Sequence, residues 1–419
     1  MTLPISSKHR EFTPFVDSLF TATSATCVTG LVVYDTYSHW SVFGQLVLLL
    51  LIQIGGLGFV TMSIAIVTFT KRKISFSQRL VAQESIASTR HGGIVKMSRF
   101  AVAGAILVEL VGALLLSVSF IPKFGFLKGL YYSVFHSVSA FCNAGFDLMG
   151  EIEPRSSLVS FNTNPLILLT IGFLIIIGGL GFFVWSDIKD YKLKFKKYSL
   201  HSKLVLTTTA GLLIGGTFFF LILEYNKPTY EGLSFFSKVL NSFFQAVTPR
   251  TAGFNSVDIG IMTEASLLVT VFLMLVGGSS GSTAGGIKTT TFAVLILNIL
   301  SVSRRRDSLQ VFRRRIDEST LRSSVTIVSV YVFLLLTSTL IISAIENLPV
   351  IDTLFESASA IATVGLTTGI TDKIGSISKI ILTFLMYFGR VGCLTLIYAI
   401  TISAGPQYSK LPAEKIAVG

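Results

Sequence analysis

The stretch FVDSLFTATSATCVTGL at residues 15–31 decides the reading, because its pattern returns three times. LYYSVFHSVSAFCNAGF occupies 130–146, VLNSFFQAVTPRTAGF 239–254 and VIDTLFESASAIATVGL 350–366. Each copy closes on a glycine (Gly30, Gly145, Gly253 and Gly365), with separations of 115, 108 and 112 residues. A second mark follows in the next apolar run: IGGLG (54–58), IGGLG (177–181), VGGSSG (276–281) and FGRVG (388–392). Two marks kept in step through four copies define an internal fourfold repeat.

The surrounding sequence is apolar. Of 419 residues, 51% are hydrophobic and 13% charged, with 34 Phe and a mean hydropathy of +0.72. That composition excludes a disordered chain and argues against a soluble enzyme, which needs a charged surface. Runs long enough to span a bilayer fall at 41–66, 100–121, 165–186, 204–223, 266–300, 323–345 and 376–403. Each unit therefore reads as a helix going out, a short amphipathic segment and a helix coming back. The short segment, about 13 residues before its glycine, cannot span but suits a re-entrant half-helix. Non-helical backbone survives at membrane depth where protein or a water-filled path covers it, so four such segments converging on one axis give a pore. The expected fold is an all-α polytopic membrane protein with four pseudo-repeats around one central pore. We assign repeat 1 to 1–70, repeat 2 to 100–186, repeat 3 to 204–300, repeat 4 to 323–403 and a cytoplasmic tail to 404–419. Repeat 1 has only MTLPISSKHRE where its outgoing helix is expected. A fragment, a misassigned start or a genuine lack of that helix would each explain this. The helices of the other three repeats favour a missing start, with Leu3 and Pro4 as the tail of that helix.

The net charge of +12 is placed, not spread. Connections 71–99, 187–203 and 303–322 carry 20 Lys plus Arg against 6 acids, while 1–40, 121–157, 224–264 and 346–379 carry 10 against 14. The positive-inside rule puts the basic loops in the cytoplasm of a cell membrane, and it removes nucleic acid as a partner. RRR at 304–306 and at 313–315 reads as anchoring, with docking of an acidic cytoplasmic partner second. Cys27, Cys142 and Cys393 have no metal or disulfide spacing. The histidines show no ligand spacing either, and no phosphate-binding loop is present.

A cation leaving water needs a replacement for its hydration shell, and rings of backbone carbonyls supply one without fixed charge. Glycine lets those carbonyls turn inward at least cost. The candidate filter is thus Cys27-Val28-Thr29-Gly30, Cys142-Asn143-Ala144-Gly145, Arg250-Thr251-Ala252-Gly253 and Ala362-Thr363-Val364-Gly365. The half-helices would end there, and their negative dipole ends favour a cation. Arg390 stands in FGRVG where the other repeats have Gly56, Gly179 and Gly278. An arginine in the hydrocarbon layer is costly, so below the filter it reads as an electrostatic barrier; a structural arginine paired with a carboxylate or carbonyls is the alternative. The run Gly277, Gly278, Ser279, Ser280, Gly281, Ser282, Thr283, Ala284, Gly285, Gly286 should unwind its span and gate the path, with Lys288 holding the loop or facing the path. A packing kink is the bland reading. Glu109, an acid inside a span, reads as a packing or helix-pair group rather than an ion site.

TCVTG, FCNAG, PRTAGFN and ATVGLTTG, with the arginine of the last returning helix, make the chain resemble the Trk/Ktr/HKT superfamily of potassium transporters over residues 12–403. It looks most like the membrane subunit of bacterial Ktr systems. The resemblance implies potassium as substrate, four units around one pathway, a homodimer with one pore per protomer, and a cytoplasmic ring of RCK-type (KtrA-like) regulatory subunits. ATP or ADP would act on that ring, with sodium as an activator in some members. It also implies that 277–286 is the gating loop and Arg390 the barrier. Some plant members with serine at the first filter glycine carry sodium, so Gly30 implies potassium. A sodium-permeable transporter of the same fold is the alternative. A membrane-embedded enzyme would need convergent acids, His or Cys in the spans, which are not seen.

Overall fold

The computed structural model describes residues 1–58, 94–306 and 308–392. The end of the first apolar run, most of the first basic loop, Cys393, the end of the last run and the tail from 404 lie outside the described residues.

Unit 1 has a 3-10 turn at Pro4–Ser6, then α1 (Phe15–Thr26), the short α2 (Thr36–His39) and α3 (Val42–Leu57). Unit 2 comprises α4 (Ile94–Phe124), α5 (Phe126–Phe141), α6 (Pro165–Leu180) and α7 (Phe182–Tyr191). Unit 3 comprises α8 (Leu200–Glu224), α9 (Phe235–Val247), α10 (Glu264–Leu275) and α11 (Thr289–Ser303). A small hairpin, β1 (Gln310–Val311) with β2 (Arg314–Arg315), leads to α12 (Glu318–Glu346), α13 (Val350–Ile361) and α14 (Ser376–Val391) of unit 4.

Among the described residues, three helices are long and apolar enough to cross a bilayer: 29 residues from Lys96 to Phe124, 25 in α8 and 29 in α12. At 1.5 Å per residue each exceeds the roughly 30 Å hydrocarbon layer. They expose large apolar side chains, among them Leu107, Leu114 and Val118, Ile214 and Phe218, and Phe333 and Leu340. Such a surface is a liability in water and ordinary against lipid. The half-helices α1, α5, α9 and α13 lie inside, with Phe20, Phe135, Phe244 and Phe355 fully buried. The outer ends of three returning helices are capped by short polar side chains. Ser41 accepts from the Gly44 N–H, Asn164 from Leu166 and Ile167, and Thr263 from Ser266.

The packing is circular. α3 of unit 1 lies against α5 of unit 2, α6 of unit 2 against α9 of unit 3, and α10 of unit 3 against α13 of unit 4. α14 of unit 4 closes the circuit on α1 of unit 1. Each returning helix thus clasps its neighbour's half-helix.

The continuous span expected at 165–186 is corrected: α6 and α7 meet at an angle of 94°. Gly181, at φ 89°, makes the turn. The last glycine of the other marks is also left-handed, at 83° for Gly58, 70° for Gly281 and 94° for Gly392. The break expected in the third returning helix alone therefore has a counterpart in unit 2, and in units 1 and 4 the helices α3 and α14 end at a glycine of the same conformation. The signal was the glycine that closes each mark, since this backbone region strains any residue with a Cβ.

Candidate functional site

The four tetrapeptides adopt one conformation. Val28, Asn143, Thr251 and Thr363 have φ of 56°, 59°, 66° and 52°, and Gly30, Gly145, Gly253 and Gly365 have 95°, 69°, 82° and 94°. A residue with a Cβ pays about 1–2 kcal/mol in this region, and a β-branched one is a genuine outlier. Hydrogen bonds sustain it. The N–H groups of Thr29, Ala144 and Val364 each donate to a serine carbonyl five residues back (Ser24, Ser139 and Ser359) at 2.8 Å; Ala252 donates to Thr248 at 3.0 Å. The same four hydroxyl residues act again through their side chains. Ser24 and Ser359 Oγ accept from the N–H of Gly30 (3.1 Å) and Gly365 (3.0 Å). Ser139 Oγ and Thr248 Oγ1 donate to the carbonyls of Phe146 and Phe254, both at 2.7 Å. Sequence reasoning missed these clamps. Their signal was a serine six residues before the glycine in three copies, displaced by one as threonine in the third.

The tetrapeptides also meet. A Cβ placed on Gly30 would lie 2.5 Å from the Ala144 carbonyl oxygen, and one on Gly145 2.6 Å from that of Ala252. One on Gly253 would lie 2.5 Å from the Val364 oxygen, and one on Gly365 2.2 Å from that of Thr29. Glycine of unit 1 thus faces a carbonyl of unit 2, and so on round to unit 1: a closed ring too tight for a methyl group. Above it an open vestibule of about 80 Å³ is lined by all four glycines and by Asp35, Asp147, Arg155 and Asp372. Arg155 pairs with Asp372 and donates to the Val33 carbonyl at 3.1 Å, tying three units together at the mouth. Burial, then the neighbouring Asp35, pushes the Asp147 carboxyl up to about 7.

Beneath the ring, residues 276–288 form the irregular link between α10 and α11, as the Gly/Ser density anticipated. The loop is ordered by bonds within itself and by contacts to units 2 and 4. Gly277 N–H donates to Ile287 O at 2.9 Å, Ser279 N–H to Gly179 O at 2.9 Å and Thr283 Oγ1 to Phe141 O at 3.1 Å. Phe182 N–H donates to Gly281 O at 2.8 Å, and the Ser280 oxygen would lie 2.9 Å from a Cβ on Gly181. Gly278 admits Ala284, whose Cβ would otherwise be 2.4 Å away. Gly285 and Gly286 lie under unit 4: their Cβ atoms would meet Thr363 Oγ1 at 2.0 Å and Ala362 O at 3.2 Å. Lys288 Nζ donates to Ala284 O at 2.8 Å, a bond within the loop.

Arg390 projects from α14 into the same region. Its guanidinium donates to the carbonyls of Thr283 in the loop and of Gly55 and Gly56 in α3, the last at 3.0 Å. It bridges unit 1 to unit 3 through carbonyls, without a carboxylate among these bonds. Asn143 plays a related part above, donating through Nδ2 to Arg250 O (3.2 Å) and Thr251 Oγ1 (3.3 Å). Arg250 itself turns away from the ring, with Nη2 donating to Thr209 on α8 at 3.2 Å. Cys27 and Cys142 are free and buried. The thiol of Cys142 touches Gln53 and Glu109.

An all-α polytopic membrane transporter is the class that this fold defines. Residues 1–407 match the family described as "TrkH: Cation transport protein", and the chain belongs to that family. It is 42% identical over 425 residues to the potassium/sodium uptake protein NtpJ of Enterococcus hirae, covering 100% of this chain and 93% of that one. It is 40% identical over 400 residues to the Ktr system potassium uptake protein B of Bacillus subtilis, covering 95% and 88%. Its fold resembles the crystal structure of the potassium transporter TrkH from Vibrio parahaemolyticus, with a TM-score of 0.72 at 16% identity over 93% of this chain and 79% of that one.

Proposed function

We propose that this protein takes up potassium across a cell membrane through the four-glycine ring, with the 276–288 loop and Arg390 controlling passage beneath it. The observation that carries the reading is the closed circuit of left-handed tetrapeptides, because it concentrates main-chain oxygens from four units about one axis. A dehydrated monovalent cation needs such oxygens. Thr29 and Thr363, fully buried, keep hydroxyls without hydrogen-bond partners among the described residues. The half-helices end at the ring, and each contributes about half a negative charge there. The vestibule acids attract cations from outside.

Arg390 acts as the barrier in this scheme. A guanidinium beneath the ring repels an arriving cation, and its bonds to the loop and to α3 hold the path narrow. When those carbonyls let go, charge and backbone move together. The relatives' names extend the scheme. The Bacillus subtilis protein is named for a Ktr system, which supports a partner component; the resemblance drawn from the sequence extends this to a cytoplasmic RCK-type regulatory ring binding ATP or ADP, under a homodimer of this chain. The name of the Enterococcus hirae protein adds sodium, as a second transported ion or an activator.

The test is uptake of rubidium and potassium by proteoliposomes holding the full chain, alone and with its regulatory subunit, with sodium as competitor. Potassium and rubidium should enter, and sodium should compete weakly. No uptake of either ion in both preparations overturns the proposal; equal uptake of sodium replaces it with the sodium-permeable reading.

A further inference from the structure

The vestibule and the loop belong to the path already described, but Glu109 does not. It sits in mid-α4, inside a span, and is 8% exposed. An acid at that depth costs several kcal/mol unless it is well bonded. None of the ion pairs among the described residues includes it. Its carboxyl oxygens accept from Gln53 Nε2 of α3 at 3.0 and 3.2 Å. The Cys142 thiol lies 3.6 Å from Gln53 Oε1 and 3.9 Å from Glu109 Oε1. The main-chain oxygen of Glu109 accepts from Ser137 Oγ of α5 at 2.6 Å.

We infer that Glu109 is a positioning residue for the ring: through Gln53 and Cys142 it fixes the start of the unit 2 tetrapeptide and so helps set the preference for potassium over sodium. This rests on the proposed role of the ring. Cys142 directly precedes Asn143, whose left-handed backbone (φ 59°) turns the segment. Two elements hold it from behind, α4 of its own unit and α3 of unit 1. α3 leaves it no slack, since a Cβ on Gly56 would lie 2.6 Å from the Cys142 sulfur. An apolar pair would fill the space, but a hydrogen-bonded trio also fixes direction. Unit 3 repeats the device with other chemistry: Arg250, at the same position of its tetrapeptide, is tied to Thr209 on its own outgoing helix. Discrimination between two alkali ions depends on where and how firmly the oxygens are held, so slack at Cys142 reaches the ion.

The experiment compares potassium-to-sodium uptake ratios and maximal rubidium rates in proteoliposomes of the full chain. Glu109→Gln keeps an acceptor for Gln53 and should leave the ratio within about twofold. Glu109→Leu should lower the ratio about tenfold, which is ~1.4 kcal/mol of discrimination, with the maximal rubidium rate kept. Cys142→Ala, a smaller change that tests the same contact if Glu109→Leu fails to insert, should lower the ratio about threefold. An unchanged ratio in Cys142→Ala, or in inserted Glu109→Leu, overturns the inference. Absence of potassium preference in the unaltered chain instead strikes the proposed function, so the two failures are told apart.

Discussion

Arg390 condenses the problem at the scale of a residue. The sequence placed a guanidinium in an apolar helix where three sister positions are glycine, and cost alone demanded a reason. The structure supplies three carbonyl partners from two other units. These bonds suit both a barrier and a structural tie, and flux separates them. Arg390→Ala should raise the maximal rubidium rate about tenfold, equivalent to ~1.4 kcal/mol off the barrier. Equal or lower flux from well-folded protein would make the arginine structural. Its presence was legible because an intramembrane charge stands out in one sequence. Its partners were not, since Gly55 and Thr283 lie 335 and 107 positions away and offer main-chain oxygens that no residue type advertises.

Among the elements, the returning helices explain why the second mark repeats. In units 1, 2 and 4 the first glycine of the mark is where the half-helix of the same unit comes closest. A Cβ on Gly55 would lie 2.0 Å from Thr26 O, one on Gly178 2.1 Å from Phe141 O and one on Gly389 2.0 Å from Ile361 O. The half-helix end and the returning helix of one unit therefore touch backbone to backbone. Gly178→Val would force them apart, and overpacking of this kind costs about 1–3 kcal/mol or more. Detergent-solubilised Gly178→Val should melt several degrees below the unaltered protein, whereas Gly211→Ala, where a Cβ meets nothing within 4 Å, should melt with it. Equal melting of the two variants would show that the backbones yield freely. The sequence displayed these glycines as a motif, yet spacing could not tell a close approach from a turn. The two adjoin in units 1, 2 and 4: the first glycine serves packing, and the final glycine, such as Gly181, turns the chain.

Over the whole molecule, the relevant quantity is the asymmetry of charge. Twenty of 34 basic residues fall in three alternate connections, and the mouth of the ring carries Asp35, Asp147 and Asp372 on the other side. If the basic side is cytoplasmic, a membrane-impermeant maleimide applied to intact cells should label Glu153→Cys and spare Lys194→Cys until the cells are opened. The reverse pattern would invert the proposed direction of the path. The long apolar helices were readable because lipid asks only for length and composition. The bend between α6 and α7 was not, because the apolar run continues through it and composition carries no direction.

Local periodicity and the fourfold marks by themselves determined the helical class, the positions of the half-helices and the tetrapeptides at their ends. These depend on short-range chemistry that repeats along the chain: apolar stripes, glycine where φ must be positive, charge held out of lipid. Tertiary structure alone decided that each returning helix clasps the next unit, that glycine faces carbonyl round a closed circuit, and that Glu109, Gln53 and Cys142 meet. Those outcomes arise from contacts between segments some hundred residues apart. Their geometry is set by mutual packing, which no single segment encodes.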